Sequence, residues 1–314
     1  MTKKVLVTGG AGFIGSHLSR ELLARGHEVH VLDNFLTGYR KNLKEIEADI
    51  EIHEIDLRDA EGVSKAVQGK DWIFHLGALA SVPRSLAEPR KSHDINVNGS
   101  LNVLLGARDA GVDAVVMASS SSVYGDSEVS PKHEQLTPCP LSPYAFQKLT
   151  MEQMGQVFSR CYGLRAVSLR YFNVFGPRQD PQSAYAAVIP KFVDLLLKKS
   201  APVIYGDGEQ TRDFTYIDNV ISANLLAAEK AESGLVTNIA GGHATSVNEL
   251  AEKIAVLLQV PELKAQHHEI RAGDVKHSLA AVARAQEKIA FQTIVPFDDG
   301  LARTVAWYQE THCD

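Results

Sequence analysis

Gly9, Gly12 and Gly15 stand three apart in the run Thr8-Gly9-Gly10-Ala11-Gly12-Phe13-Ile14-Gly15. The apolar run Val5–Val7 precedes them and a helical stretch, Phe13–Arg25, follows. Glycines at the turn from strand to helix let the backbone fold tightly and approach a pyrophosphate, whose charge then meets the helix N-terminus. A second apolar run, Val29–Leu32, ends at Asp33, 18 residues past Gly15. A carboxylate there accepts both ribose hydroxyls and repels a 2′-phosphate. The chain is thereby held to a βαβ start, with NAD rather than NADP as its cofactor. A tight turn without a ligand is the plain alternative; strand, loop, helix and acid falling in place together argue against it.

The same alternation runs on to about Gly176. Ile50–Ile55, Trp72–His75, Val115–Ala118 and Val167–Arg170 predict further strands, with helices at Asp59–Val67, Pro89–Ala110 and Pro143–Tyr162. Near-continuous apolar strands separated by helices predict an α/β, Rossmann-type doubly wound parallel sheet covered on both faces. Beyond Gly176-Pro177 the pattern is less regular, with helices at Val188–Lys199, Asn219–Ala231, Val247–Leu258 and Phe297–Gln309. The expected division is an NAD-binding domain over 1–176, which carries the catalytic residues, and a smaller C-terminal α/β substrate lobe over 177–314. The chain is free to cross between the two.

Bulk properties narrow the function. The net charge of -6 comes without a dense Lys/Arg block, which argues against nucleic acid as a partner. No run approaches the ~20 apolar residues of a spanning helix, and the N-terminal apolar run is too short for a signal peptide. Cys139, Cys161 and Cys313 are scattered without CxxC spacing, which fits a reducing cytoplasm. The 12 histidines show no ligand spacing, and adjacent His267 and His268 would point to opposite sides of an extended segment. No metal is therefore expected.

Tyr144 and Lys148 stand four apart on the helix predicted from Pro143, which sets one above the other. A lysine under a tyrosine stabilises its phenolate and brings a pKa of ~10 toward neutrality. Ser119-Ser120-Ser121-Ser122 follows the fifth strand, so a hydroxyl there sits at the mouth of the ligand crevice. A serine loop that bonds its own backbone is the alternative. Asp56, with Leu57, closes the third strand, where a carboxylate meets an adenine amino group or is simply solvated. Gly77 and Ala78 after strand four either admit the cofactor closely or form an ordinary turn.

TGGAGFIGSHL, Asp33, SSSSVYG, SPYAFQK and RYFNVFGPRQ together resemble the extended short-chain dehydrogenase/reductases, and within them the UDP-hexose 4-epimerases, above all those acting on UDP-N-acetylglucosamine. The resemblance spans nearly the whole chain. It implies Ser120 and Tyr144 as the catalytic hydroxyl and base, with Lys148 as partner. It implies a cofactor site of Gly9, Gly12, Phe13, Ile14, Gly15, Asp33, Asn34, Gly38, Asp56, Leu57, Leu76, Gly77, Ala78, Ala80, Asn96, Tyr144, Lys148 and Phe172. Asn96 would hold a helix bend and Phe172 approach the nicotinamide; an ordinary polar helix residue and a core aromatic are the alternatives. The implied UDP-sugar site comprises Ser81, Ser85, Ser120, Ser121, Ser122, Asn173, Ala187, Val188, Tyr205, Arg212, Arg271, Asp274 and Ser278. Two arginines clamp a diphosphate with planar donor pairs. Ser278 would form the wall beside the sugar C2 substituent, where its small side chain leaves room for an N-acetyl group.

The implied mechanism is redox without net redox: Tyr144 takes the 4-hydroxyl proton while C4 gives hydride to a tightly held NAD, and hydride returns to the other face of a 4-keto sugar. Related 4,6-dehydratases and decarboxylases carry acids after the catalytic hydroxyl, where this chain has Ser121 and Ser122. A UDP-glucuronate 4-epimerase, a reductase using free NAD(P)H and a non-enzymatic NAD sensor remain as alternatives. Ala280-Ala281 replaces the family's usual Ala-Asp step, which removes a helix cap and leaves the chemistry intact. Helices over Pro89–Ala110 and Pro143–Tyr162 resemble those that pair into a dimeric four-helix bundle, so a homodimer is expected.

Overall fold

A computed structural model describes residues 1–181, 187–269 and 276–312. The glycine loop joins β1 (Lys4–Thr8) to α1 (Phe13–Ala24); β2 (Glu28–Leu32), β3 (Glu51–His53), α2 (Ala60–Val67) and β4 (Trp72–His75) follow. Then come α3 (Val82–Ala87), α4 (Pro89–His93), a π-helical turn at Asp94–Asn98, α5 (Gly99–Ala110), β5 (Ala114–Ser120), α6 (Pro143–Tyr162) and β6 (Ala166–Tyr171). The rest of the chain forms β7 (Val174–Phe175), α7 (Val188–Leu197), β8 (Val203–Tyr205), β9 (Thr211–Asp213), β10 (Thr215–Tyr216), α8 (Ile217–Lys230), β11 (Val236–Ile239), β12 (Ala244–Ser246), α9 (Val247–Leu257), β13 (Gln266–His268), α10 (Ala283–Ile289) and α11 (Phe297–His312).

Among the described residues, seven strands form one parallel sheet in the order β11-β6-β5-β4-β1-β2-β3. Alternate side chains of each strand feed two separate cores. Val5, Val7, Phe74 and Val116 pack on one face with Leu18 and Leu22 of α1. Leu6, Ile73, Val115 and Met117 pack on the other with Val63 of α2 and Val103 and Leu104 of α5. Both faces are dry, which is why these strands read as unbroken apolar runs. Each such side chain contributes about 1.5–3 kcal/mol on burial. The strand order reverses between β4 and β1, and ligands of such sheets bind beyond the carboxyl ends at that point.

The expected helix over Pro89–Ala110 is helical throughout, with a π-helical turn at Asp94–Asn98 where the resemblance put a bend at Asn96. Two details depart from the sequence reading. The seventh strand, β11, comes from beyond the expected boundary, and Thr237 and Asn238 within it hid it. Both are buried with partners: Thr237 Oγ1 donates to Glu134 Oε1 at 2.9 Å, and Asn238 Oδ1 accepts from the Tyr124 hydroxyl at 2.7 Å. Histidines do meet: His30 and His53 face each other across β2 and β3 with Glu51 beside them. Helix α10 has Val282 as its N-cap residue and no side-chain cap, in keeping with the Ala280-Ala281 step.

Candidate active site

The loops after β1 and β4 touch at the switch point. Gly9 has φ +69, and a Cβ there would lie 2.7 Å from the Gly77 backbone. A Cβ on Gly15 would collide with the Gly9 carbonyl oxygen. Gly12 caps α1 with no side-chain cap, so the first-turn N–H groups are open to an anion. From here a cleft of about 640 Å³ runs to Tyr144 and Lys148. Of the residues singled out from the sequence, Gly9, Gly12, Phe13, Ile14, Gly15, Asp33, Asn34, Gly38, Asp56, Leu57, Leu76, Gly77, Ala78, Ala80, Ser81, Tyr144, Lys148 and Ala187 line it.

Asp33 is buried at one end. Its Oδ2 accepts from Ala11 N at 2.9 Å and its Oδ1 from Phe35 N at 2.8 Å. Burial raises its pKa, and these two N–H bonds oppose the rise. Asp56 is gripped by Arg58, Nε to Oδ1 at 2.9 Å and Nη2 to Oδ2 at 2.7 Å, and by Asn34 Nδ2 at 2.7 Å. Those bonds hold its carboxyl well below the usual carboxylate range.

At the other end, Ser142 and Pro143 start α6 in the manner of an N-cap and a first-turn proline. Ser142 Oγ accepts from Ala145 N and Ser85 Oγ from Tyr144 N, both at 3.1 Å. Ser85, expected against the sugar, thus seats the backbone of Tyr144. Lys148 lies one turn on. Its Nζ is 5.9 Å from the Tyr144 ring centroid and donates to the Ala118 carbonyl at 2.6 Å. Burial pushes Lys148 down to about 8, against the pull of the Glu152 carboxylate. Burial also lifts the Tyr144 phenol above its ordinary value, opposed by a hydrogen bond with the Ser120 hydroxyl. In the protein by itself desolvation therefore works against the expected lowering, and a phenolate there calls for positive charge beside it.

Ser120 ends β5, and its Oγ accepts from Ser122 N at 3.2 Å. Ser121 and Ser122 open a short 3-10 turn, and the Ser122 hydroxyl is buried with no partner among the described residues. Asn96 lies in the π-helical turn. Its Oδ1 accepts from Leu79 N and its Nδ2 donates to Gln147 Oε1, both at 2.7 Å, which ties the loop after β4 to α6. Below Lys148, buried Glu152 receives Arg170 Nε at 2.9 Å and Nη2 at 2.8 Å, together with the Ser119 hydroxyl.

The remaining residues sit around the far wall. Phe172 is fully buried against Val123, Tyr124 and Ala240, so its ring does not reach the cleft; Tyr171 lines it instead. Asn173 has φ +31, an uncommon backbone for a residue with a side chain, and its Nδ2 donates to the Asp213 carbonyl at 3.1 Å. Val188 begins α7. Arg212 lies in β9, and Ser278 N donates to the neighbouring Thr211 carbonyl at 3.1 Å. Tyr205 ends β8 with its ring 6.1 Å from His268. Arg271 and Asp274 lie outside the described residues. Ser119, from the serine run, and Gln179, from the RYFNVFGPRQ motif, also line the cleft; Thr37 and Arg84 line it unforeseen, since single polar residues off any spaced motif carry no signal.

The cleft fits NAD: an open helix N-terminus for the pyrophosphate, a buried carboxylate for a ribose, and a tyrosine and lysine at the reacting end. A doubly wound sheet with such a cleft defines a dinucleotide-dependent enzyme of the short-chain dehydrogenase/reductase type. The chain belongs to the NAD dependent epimerase/dehydratase family, whose model matches residues 5–240. NAD is accordingly its cofactor. A putative UDP-glucose 4-epimerase of Methanocaldococcus jannaschii is 36% identical over 98% of this chain and 99% of its own. A UDP-N-acetyl-alpha-D-glucosaminuronate decarboxylase of Bacillus cytotoxicus is 33% identical over 100% of both chains. Among solved structures, the UDP-N-acetylglucosamine 4-epimerase of Methanobrevibacter ruminantium, in complex with UDP-N-acetylmuramic acid, is 42% identical with a TM-score of 0.94, covering 99% of each chain.

Proposed function

We propose that the protein is a UDP-hexose 4-epimerase that interconverts UDP-N-acetylglucosamine and UDP-N-acetylgalactosamine, and UDP-glucose and UDP-galactose with them. The observation that carries this reading is Ser120 at the end of β5 beside Tyr144, with Lys148 one turn beneath the phenol, followed by serines instead of acids. A dehydratase has to protonate a leaving hydroxyl and take a proton from C5, which calls for carboxyl chemistry that Ser121 and Ser122 lack. The Methanobrevibacter and Methanocaldococcus relatives support 4-epimerisation by their names. The Bacillus relative favours a second reading, chemistry on a UDP-uronate.

Bound NAD supplies the place where the hydrogen of C4 is held between its departure and its return. Gly9 to Gly15, Asp33 and the Asp56-Leu57 step hold it. Tyr144 takes the proton of the sugar 4-hydroxyl and later gives it back. Ser120 hydrogen-bonds the same oxygen, and Lys148 stabilises the phenolate. Ser122 offers an unpaired hydroxyl to the sugar, and Asn173, Arg212, Arg271 and Asp274 hold the UDP. Ser278 leaves space for the N-acetyl group as the 4-keto sugar turns. The 177–314 part serves mainly this sugar site. A cytoplasmic homodimer completes the reading; exposed Phe146 and Val157, on one stripe of α6, support a helical interface, and light scattering on the intact chain tests it. Among the described residues no helix is long and apolar enough to cross a membrane.

The test is incubation of the purified protein, without added NAD, with UDP-N-acetylglucosamine, UDP-glucose and UDP-glucuronate in turn. Epimers of the first two are expected. Ser278→Tyr should suppress the acetylated reaction and spare UDP-galactose. A decarboxylated product from UDP-glucuronate establishes the second reading, and equal losses in Ser278→Tyr remove the role given to Ser278.

A further inference from the structure

The sheet edge formed by β2 and β3 gathers a set of ligands that the epimerase reading leaves unused. In parallel register His30 pairs with Glu51, and Leu32 with His53. Side chains two apart on a strand share a face, so Glu28, His30, Glu51 and His53 all project from the same face of the sheet. His30 Nδ1 lies 3.2 Å from His53 Nε2 and 3.3 Å from Glu51 Oε2, and His53 Nε2 lies 3.5 Å from Glu51 Oε1. A tetrahedral ion with bonds of about 2.0–2.1 Å separates its ligands by about 3.3–3.4 Å. The two nitrogens and the two Glu51 oxygens stand close to those separations, each histidine against a different oxygen, so a small turn of the exposed carboxylate brings one oxygen to both.

We propose that His30 Nδ1, His53 Nε2 and a Glu51 carboxylate oxygen form a site for a divalent transition-metal ion of the zinc class, with solvent as the fourth ligand.

The surroundings are those of a built site. The other nitrogen of His30, Nε2, lies 3.0 Å from Glu28 Oε1. A carboxylate there fixes the proton on Nε2 and turns the Nδ1 lone pair toward the metal, the usual outer-shell arrangement for a ligating histidine. The two rings are nearly parallel, 9° apart with centroids at 5.5 Å. His30 keeps its proton on Nε2, and His53 offers its Nε2 lone pair in the tautomer that carries the proton on Nδ1; a small rotation of each ring then admits the ion. The His30 side chain is only 7% exposed and that of Glu51 63%, which gives one rigid ligand and an entry path from solvent. Two imidazoles and a carboxylate suit zinc and its neighbours better than calcium or magnesium, which take oxygen sets. Lys4, 3.4 Å from Glu28, and Lys70, which acts on both Glu28 and Glu51, are the cations nearest the pocket; the two glutamates offset them. The ion would pin the three-residue edge strand β3 to β2, which ends beside Asp33.

The experiment uses the intact chain without a histidine tag, stripped with a chelator and dialysed. Zinc is titrated in by calorimetry, and cobalt(II) reports geometry by its visible spectrum. One saturating zinc per chain, a tetrahedral cobalt spectrum and a zinc-dependent rise in Tm are expected. His53→Gln should abolish all three. Glu28→Gln should weaken zinc by ~10-fold or more and keep the stoichiometry. Should His53→Gln fail to fold, Glu51→Gln, at an exposed position, decides in the same assay. Absence of saturable binding by the wild type, or binding unchanged in these ligand variants, overturns the proposal.

Discussion

Ser85 accepts the Tyr144 N–H at 3.1 Å, while Tyr144 itself carries a phenol that burial has made harder to ionise. Placement and ionisation are therefore separable. Tyr144→Phe keeps the ring and removes the proton carrier, so epimerisation should fall by at least ~10²-fold with UDP-sugar affinity little changed; turnover and calorimetry check the two halves. Ser85→Ala instead leaves a first-turn N–H without its acceptor. It should lower stability by about 1–3 kcal/mol in urea and reduce kcat without changing the pH profile, because no titrating group is removed. The sequence placed the Tyr–Lys spacing correctly, while the ionisation of the phenol rests on burial and on further charge that the spacing does not report. Helical periodicity places Lys148 under Tyr144, but which of a cation and desolvation wins depends on burial, which no spacing reports.

At the scale of elements, α6 is the beam on which the site is mounted. It is fastened to the π-helical turn through Asn96 and Gln147, and to β5 and β6 through Glu152, Ser119 and Arg170. Arg170 and Glu152 are almost wholly buried, with side chains 5% and 3% exposed. Glu152→Gln would leave the guanidinium buried without its counter-charge. It should destabilise by roughly 3–5 kcal/mol, read from chemical unfolding; a loss below 1 kcal/mol would mean that water relieves Arg170. Elements with both faces dry were legible: β1, β4, β5 and β6 announce themselves as apolar runs, and Ser142-Pro143 marks the start of α6. Elements stabilised by buried polar pairs were not. Thr237 and Asn238 disguise β11, helix periodicity runs straight through the turn at Asp94–Asn98, and His30 meets His53 only once the register of β2 on β3 is known.

For the molecule as a whole, two buried groups set opposing pH responses. His75, between Thr8 Oγ1 at 2.8 Å and Ser100 Oγ at 2.9 Å, is pushed down to about 3 by burial, with Lys148 adding to the shift. A lowered histidine contributes stability that is present above its unfolded pKa of ~6.5 and lost as pH falls toward the folded value. Asp213 joins β9 to the segments at Gly241, Gly242 and Ala280, whose N–H groups it accepts, and burial lifts it to about 6 against those bonds. A raised carboxyl contributes stability that is present at low pH and lost as pH rises through the folded value. The two effects offset each other in the wild type. Between pH 7 and pH 4, His75→Gln should gain roughly 3 kcal/mol relative to wild type, and Asp213→Asn should lose roughly 2 kcal/mol. Urea unfolding at the two pH values checks both signs.

All of these scales converge on one claim, that the hydrogen on C4 leaves and returns within a single closed site. The most direct measurement is turnover of UDP-N-acetylglucosamine deuterated at C4, in ordinary water, with no NAD added. UDP-N-acetylgalactosamine should appear with its deuterium still at C4. Loss of the label to solvent, or no epimer while another UDP-sugar is consumed, would contradict the account.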